Sequence, residues 1–130
     1  MIQWRDEFAL GVKAIDEQHQ KLFEIANRAY SVLKNEFLVD KYDQSVAILN
    51  ELKDYTVYHF GFEEKYMQSI GYRRFLSHKV QHDDFIQKIN ETDLNKIDEN
   101  QEQYLIEALE FVVDWIERHI LGVDKRIVQE

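Results

Sequence analysis

The chain has 130 residues and no cysteine, which excludes cysteine-ligated iron–sulfur clusters, cysteine zinc sites, thiol nucleophiles and disulfides. A hydrophobic content of 45% is enough for the core of one domain, which we expect to span residues 1–130. The formal net charge of -9 makes nucleic acid and anionic membrane surfaces poor partners, because both are negatively charged themselves.

The N-terminal residues show no basic segment followed by an apolar run, so we expect no signal peptide. The sequence also lacks any stretch of about 18 uncharged apolar residues, and no membrane span is expected. Together with the missing cysteines, these features predict a cytoplasmic protein.

Helix-forming residues dominate after residue 15, and the chain contains no proline. Apolar residues recur at helical spacing, which predicts helices at about 17–37, 41–66, 73–91 and 100–121. Asp16 is the expected N-cap of the first helix, and Asn90 to Asn100 is expected to form a polar loop. Short connections favour antiparallel neighbours. The predicted fold is therefore all-α, an up-down-up-down antiparallel four-helix bundle (16–124) behind an irregular N-terminal arm (1–15).

All five histidines have the spacing of a metal site built between helices. His59 lies four residues before Glu63, and His78 lies four residues before His82. Side chains four residues apart share one helix face, so each pair can point at one centre. The remaining two are His19, near the start of the first predicted helix, and His119 in the last.

His119 lies five residues before Asp124, a spacing that leaves the two side chains roughly 140° apart on an ideal helix. A local bulge or a helix end is needed to bring them together. Gly122 lies between them, and we expect its conformational freedom to permit that departure.

Counting along the chain places these residues at one level of the bundle. His19 and His59 lie at equal distances from a first turn centred near residue 39. Glu63 and His78 are nearly equidistant from a second turn near residue 70, and His78 and His119 from a third near residue 97. A mismatch of 3 residues is only about 4.5 Å along a helix. All four helices are thus expected to deliver side chains to one layer.

Seven ligand side chains are too many for one metal ion and suggest two ions. If both carboxylates and one oxide or hydroxide bridge two octahedral ions, and each histidine binds one ion, a single coordination position remains open. That position falls on the ion with two histidines. Imidazole with carboxylate suits iron, whereas a closed tetrahedral zinc site would need only four ligands.

Each element of the pattern also has an ordinary explanation. A lone His19 could be a surface or capping residue, and His59 with Glu63 could be an exposed helix pair. A histidine pair four residues apart is often not a ligand pair. Their joint occurrence at one level, with no histidine left over, favours the metal site.

The combined motifs resemble the hemerythrin family, specifically its single-domain bacterial members, over essentially the whole chain. The motifs are Trp4 in the arm, Ile15-Asp16-x-Gln18-His19, His59-Phe60-x-x-Glu63, Met67 with Tyr72, His78-x-x-x-His82, and Trp115-x-x-x-His119-Ile120-x-x-x-Asp124-Lys125. One departure is Arg73, where family members often have a proline that helps a helix to begin.

The resemblance implies a non-haem di-iron centre, bridged by oxide or hydroxide, that binds O2 reversibly. By position, His78, His82 and His119 would hold the filled iron. His19 and His59 would hold the iron with the open position, and Glu63 and Asp124 would bridge the two. Apolar residues near these ligands are expected to exclude water from the open position, namely Leu22, Phe23, Phe60, Ile116 and Ile120, with Trp115 packed beside His119.

Three functions remain open at this point. The favoured one is an O2-binding protein for storage, delivery or sensing, with a separate redox or signalling protein as a possible partner. The second is an enzyme, namely a di-iron oxidase, peroxidase or nitric-oxide-handling protein. Carboxylate-rich di-iron enzymes use paired Glu-x-x-His motifs, which this chain lacks. The third is metal buffering or a structural role, with zinc as one candidate ion.

Overall fold

The structure, a computed structural model, describes residues 2–35, 41–91 and 101–129. Four long helices account for most of these residues: α1 (Lys13–Lys34), α2 (Lys41–Ser69), α3 (Phe75–Glu91) and α4 (Gln101–His119). A π-helical turn (Ile120–Asp124) and a short helix α5 (Arg126–Gln129) follow α4. The predicted all-α four-helix bundle is confirmed. The turn centres predicted near 39 and 97 lie outside the described residues.

The core contains many buried apolar side chains together with a smaller set of buried polar ones. Helix α1 packs mainly on α2 and also on α4, and α2 packs on α3. The buried side chains of α1 recur every three to four residues, as the sequence pattern predicts, and include Ile15, Leu22, Ile25, Ala29 and Leu33. None of the helices in the described part of the chain combines the length and the apolar composition that crossing a bilayer requires.

Helix α1 begins four residues before the predicted start, and the predicted N-cap is wrong. Val12 occupies the cap position and Asp16 lies inside the helix. The Asp16 carboxylate instead accepts hydrogen bonds from the backbone N–H groups of Leu10 (2.8 Å) and Gly11 (3.1 Å). Gly11 has a φ of +88°, a conformation that other residues rarely adopt. Asp16 therefore fixes the chain entering the helix rather than capping the helix.

The N-terminal arm is held firmly against the bundle. Ile2 exchanges two backbone hydrogen bonds with the Asn27 side chain, at 3.1 and 2.8 Å. Trp4, Phe8 and Phe23 form a cluster with ring centroids 5.1–5.7 Å apart. The arm is also shorter than predicted, because α1 begins at Lys13, and it contains a 3-10 turn at Asp6–Phe8.

Helix α2 extends three residues beyond its predicted end and stops at a glycine. Gly71 has a φ of +65°. Its N–H donates to the carbonyl of Gln68 (3.2 Å), and the N–H of Tyr72 donates to the carbonyl of Met67 (2.9 Å). This pair of hydrogen bonds is a Schellman motif, which satisfies the last carbonyls of the helix and turns the chain towards α3.

The predicted bulge between His119 and Asp124 is confirmed as the π-helical turn. The N–H of Lys125 donates to the carbonyl of Ile120 at 3.1 Å, a hydrogen bond across five residues. This wider turn brings residues five apart closer to one face. The expected role of Gly122 is wrong, because its φ is not positive and a Cβ atom added there would meet no atom within 4 Å.

We therefore expect Gly122→Ala to be tolerated. Alanine restricts the unfolded chain more than glycine does, so the variant should be about 0.5–1 kcal/mol more stable. Urea unfolding of the two proteins measures the difference. Gly71→Ala is the matched control and should destabilise, since the positive φ at 71 strains any residue with a Cβ atom. A loss of stability in Gly122→Ala would show that the π-helical turn needs glycine.

Candidate metal centre

The structure brings all seven predicted ligand residues together in one buried cluster. Four helices and the π-helical turn each contribute to it. Each of these side chains is at least nine-tenths buried: His19, His59, Glu63, His78, His82, His119 and Asp124. Burial of five imidazoles and two carboxylates away from water is costly unless something satisfies them. The cluster is therefore the feature of this fold that most needs a chemical explanation.

The Nε2 atoms of three histidines form one half of the cluster. Nε2 of His78 lies 3.0 Å from Nε2 of His119, and Nε2 of His82 lies 3.1 Å from the same atom. The other half contains His19 and His59, whose ring centroids lie 4.6 Å apart. The imidazoles are thus divided unevenly, three against two.

Glu63 lies between the two halves, with one oxygen facing each. Its Oε1 atom is 2.9 Å from Nε2 of His78 and 3.3 Å from Nε2 of His82. Its Oε2 atom is 3.2 Å from Nε2 of His59 and 3.6 Å from Nε2 of His19. This is the arrangement in which one carboxylate can bridge two ions.

Asp124 repeats the arrangement from the π-helical turn. Its Oδ1 atom is 2.9 Å from Nε2 of both His78 and His119, and its Oδ2 atom is 3.1 Å from Nε2 of His19. Five donors around the first half and four around the second lie close enough together to share an ion, and Glu63 and Asp124 belong to both sets. The described residues therefore offer two adjacent positions with two shared carboxylates.

Several potential metal-ligand atoms of the described cluster are buried and make no hydrogen bond with the protein, although other atoms of the cluster lie close to them. They are both ring nitrogens of His19, both carboxylate oxygens of Glu63, Nδ1 of His78 and Oδ1 of Asp124. Buried polar atoms in folded proteins normally have partners. Oxygen and imidazole nitrogen donors that converge without partners suit cations that prefer this mixed ligand set, iron among them.

The charges of the site also favour a cation. Burial opposes a charge on His19, but the nearby Asp124 and Glu63 outweigh it and raise the pKa of His19 to about 9. The same balance raises the pKa of His78 to about 9. Burial would raise the pKa of Glu63, yet the surrounding histidines hold it well below its ordinary range. Two ionised carboxylates in a dry interior thus attract positive charge, as protons or as metal ions.

Two histidines are oriented by hydrogen bonds behind the cluster. The Nδ1–H of His59 donates to Oε1 of Gln18 (2.7 Å), and the Nδ1–H of His82 donates to Oε2 of Glu64 (3.2 Å). Each bond places the ring proton on Nδ1 and leaves the lone pair of Nε2 facing the cluster. Gln18 belongs to a motif noted in the sequence. The contact of Glu64 with His82 was not predicted, because it depends on how α2 packs on α3.

Aromatic side chains fix the other ring planes. Phe60 stacks on His82 with centroids 3.8 Å apart, and Trp115 stacks on His119 with centroids 4.4 Å apart. Phe60 was expected to line the open position. It lies closest to the three-histidine half instead, because its ring turns towards α3. The other predicted lining residues are buried in the core: Leu22, Phe23, Ile116 and Ile120.

Comparison with known proteins gives one consistent result. Residues 10–130 match the family model described as the hemerythrin HHE cation binding domain. The chain is 50% identical over 128 residues to a bacteriohemerythrin of Clostridium acetobutylicum, which covers 98% of this chain and 99% of the relative. It is 29% identical to a bacteriohemerythrin of Stenotrophomonas maltophilia, over 96% of this chain and 78% of the relative. A solved wild-type hemerythrin superposes with a TM-score of 0.83 at 28% identity, over 99% of this chain and 96% of the other.

Proposed function

Because the chain belongs to the hemerythrin family, we propose that it binds O2 reversibly at a pair of iron ions. His78, His82 and His119 would hold one iron. His19 and His59 would hold the other, which keeps the open position. Glu63 and Asp124 would bridge the two irons, together with an oxide or hydroxide. We take residues 1–130 as one domain built around this centre.

One observation supports this proposal above the others. Each carboxylate presents one oxygen to the three-histidine half and the other to the two-histidine half. An uneven set of imidazoles around shared carboxylates leaves one ion with fewer protein ligands than its neighbour. An ion that keeps an open position can accept a small ligand.

The chain's own residues would hold the centre rigid and dry. Gln18 and Glu64 keep two imidazoles in the tautomer that presents Nε2, and Phe60 and Trp115 prevent their neighbours from rotating. The buried apolar side chains of the core would exclude water, which would otherwise compete for the open position. When bound, two ferrous ions would supply that position and the electrons that O2 accepts reversibly.

The test is to cycle O2 over the reduced, iron-loaded protein while recording visible absorption and metal content. We expect about two irons per chain, the number that two six-coordinate positions need. We also expect a band that appears with O2 and disappears when O2 is removed. Zinc-loaded protein is the control and should show no band. A band that never reverses would contradict O2 carriage.

The same experiment separates the other functions. Irreversible oxidation with repeated turnover of a substrate, faster than spontaneous autoxidation, would favour a di-iron oxidase, peroxidase or nitric-oxide-handling enzyme. Protein that retains zinc and cannot exchange it for iron would favour metal buffering or a structural role. The ligand set of five imidazoles and two carboxylates argues for O2 binding, since di-iron oxidation chemistry uses mainly carboxylates.

A cytoplasmic location, and a redox or signalling protein as partner, remain part of this proposal.

The hydrogen bond from His59 to Gln18 gives a further prediction. Gln18→Leu removes the acceptor of the Nδ1–H, so the imidazole loses the partner that orients it. We expect affinity for the iron on the two-histidine side to fall by about 10–100-fold. Competition with a calibrated chelator measures the loss. Gln20→Leu, at an exposed position of the same helix, is the control and should bind iron normally. Equal affinities in the two variants would contradict this role of Gln18.

A further inference from the structure

A continuous row of aromatic rings connects His119 with the surface of the bundle. The Trp115 ring lies 4.4 Å from the His119 ring with an angle of 13° between their planes. Phe85 of α3 stacks on Trp115 at 4.0 Å and 14°. Phe111 follows at 6.0 Å and 29° from Phe85. Phe85 is fully buried and Phe111 is 43% exposed, so the row runs from the cluster to solvent.

A second histidine joins this row. Phe60 lies parallel to His82 at 3.8 Å and contacts Trp115 at 5.7 Å. His119 is therefore connected to Trp115 directly, and His82 is connected to it through Phe60. Stacked rings add to the stability of a core on their own account. Packing alone, however, does not require the rings to line up from a buried imidazole to an exposed phenyl group.

We propose that Trp115, Phe85 and Phe111, here called the aromatic row, carry electrons from an external one-electron donor to the iron that His119 would hold. Tunnelling slows steeply as the saturated path and the gaps between atoms lengthen. Closely packed π systems couple electronically better than the saturated backbone and side-chain bonds of α4 between residues 111 and 119. This inference rests on the proposed function, because it needs a di-iron acceptor.

The site needs such a path because a donor cannot touch it. His19, Glu63 and His82 are completely buried. An O2 carrier whose irons have both become ferric must be reduced before it can bind O2 again. Such a reduction would consume two one-electron donor molecules, one electron for each ferric ion, and one proton from solvent for the bridging oxide. The rings carry charge without being oxidised or reduced themselves.

The test uses a ruthenium photosensitiser attached to a single cysteine, which is possible because the chain has none of its own. Glu107 is exposed, lies four residues before Phe111 on the same face of α4, and is twelve residues from His119. Ser31 is exposed on α1 and is twelve residues from His19. Glu107→Cys and Ser31→Cys thus place the label at about the same distance along a helix, roughly 18 Å, from a histidine of the cluster.

A flash in the presence of a sacrificial donor reduces the label, and the loss of the ferric absorption reports arrival of the electron. We expect Phe85→Leu to slow this step several-fold from the label at 107 and to leave the rate from the label at 31 unchanged. Phe111→Leu serves as the second variant because its half-exposed ring contributes less packing, and it should slow the same path. Iron content, ferric spectrum and circular dichroism are recorded before each flash.

A structural role and a conducting role give different results. Rates that Phe85→Leu lowers equally from both labels, or from neither, would overturn the role of the aromatic row while the di-iron site stands. Labelled protein that takes up no iron would overturn the proposed function itself, and the role of the row with it. The metal analysis distinguishes these two failures.

Discussion

Replacing Glu63 with Gln is expected to leave the protein unable to hold two irons. Glu63 is fully buried, and its two oxygens face opposite halves of the cluster. The amide keeps the shape of the side chain but removes its negative charge, and it replaces one donor oxygen with an NH2 group that cannot bind a cation. We expect iron affinity to fall by more than about 100-fold, a larger loss than removal of a residue that only hydrogen-bonds to a metal ligand would cause.

The adjacent residue provides a matched control. Glu64→Gln is the same substitution one position along α2, and an amide oxygen can still accept the hydrogen bond from Nδ1–H of His82. This variant should retain nearly two irons per chain after gel filtration, whereas Glu63→Gln should retain at most one. Circular dichroism should show that both variants are folded. Full iron occupancy in Glu63→Gln would contradict a bridging role for this carboxylate.

Removal of the metal is expected to lower the stability of the whole bundle. The cluster joins all four long helices and the turn after α4, and it contains buried atoms that make no hydrogen bond with the protein. A ligand that binds only the folded chain stabilises it by about 4 kcal/mol at 1,000 times its dissociation constant. For a domain of this size the melting temperature should then fall by roughly 10–20 °C on chelation.

Thermal unfolding of iron-loaded and chelator-treated protein measures this difference. Glu63→Gln is the internal control, since a chain that does not hold the pair should melt at nearly the same temperature with and without iron. Identical melting temperatures for the loaded and stripped native chain would mean that the bundle is stable without its ions. In that case the unpartnered donors would have to be satisfied by water.

The sequence alone predicted the bundle and the seven residues at its centre. Helical periodicity decides which side chains share a face, so His59 with Glu63 and His78 with His82 could be paired from their spacing. Counting from the expected turns gave the common level, because rise per residue is the same in every α-helix. The spacing of His119 and Asp124 also predicted a local bulge or a helix end between them, since an ideal helix cannot direct both side chains to one point.

Only the tertiary structure decided how these side chains meet. Spacing along a helix does not determine which oxygen of Glu63 faces which histidine, or that Glu64 of α2 reaches His82 of α3. Both depend on the distance and rotation between packed helices. The same holds for Asp16, whose partners are backbone groups of the arm, and for the stack of Phe85 on Trp115 across α3 and α4. Local periodicity fixes the face of a helix, whereas contacts between helices are set by how complementary surfaces pack.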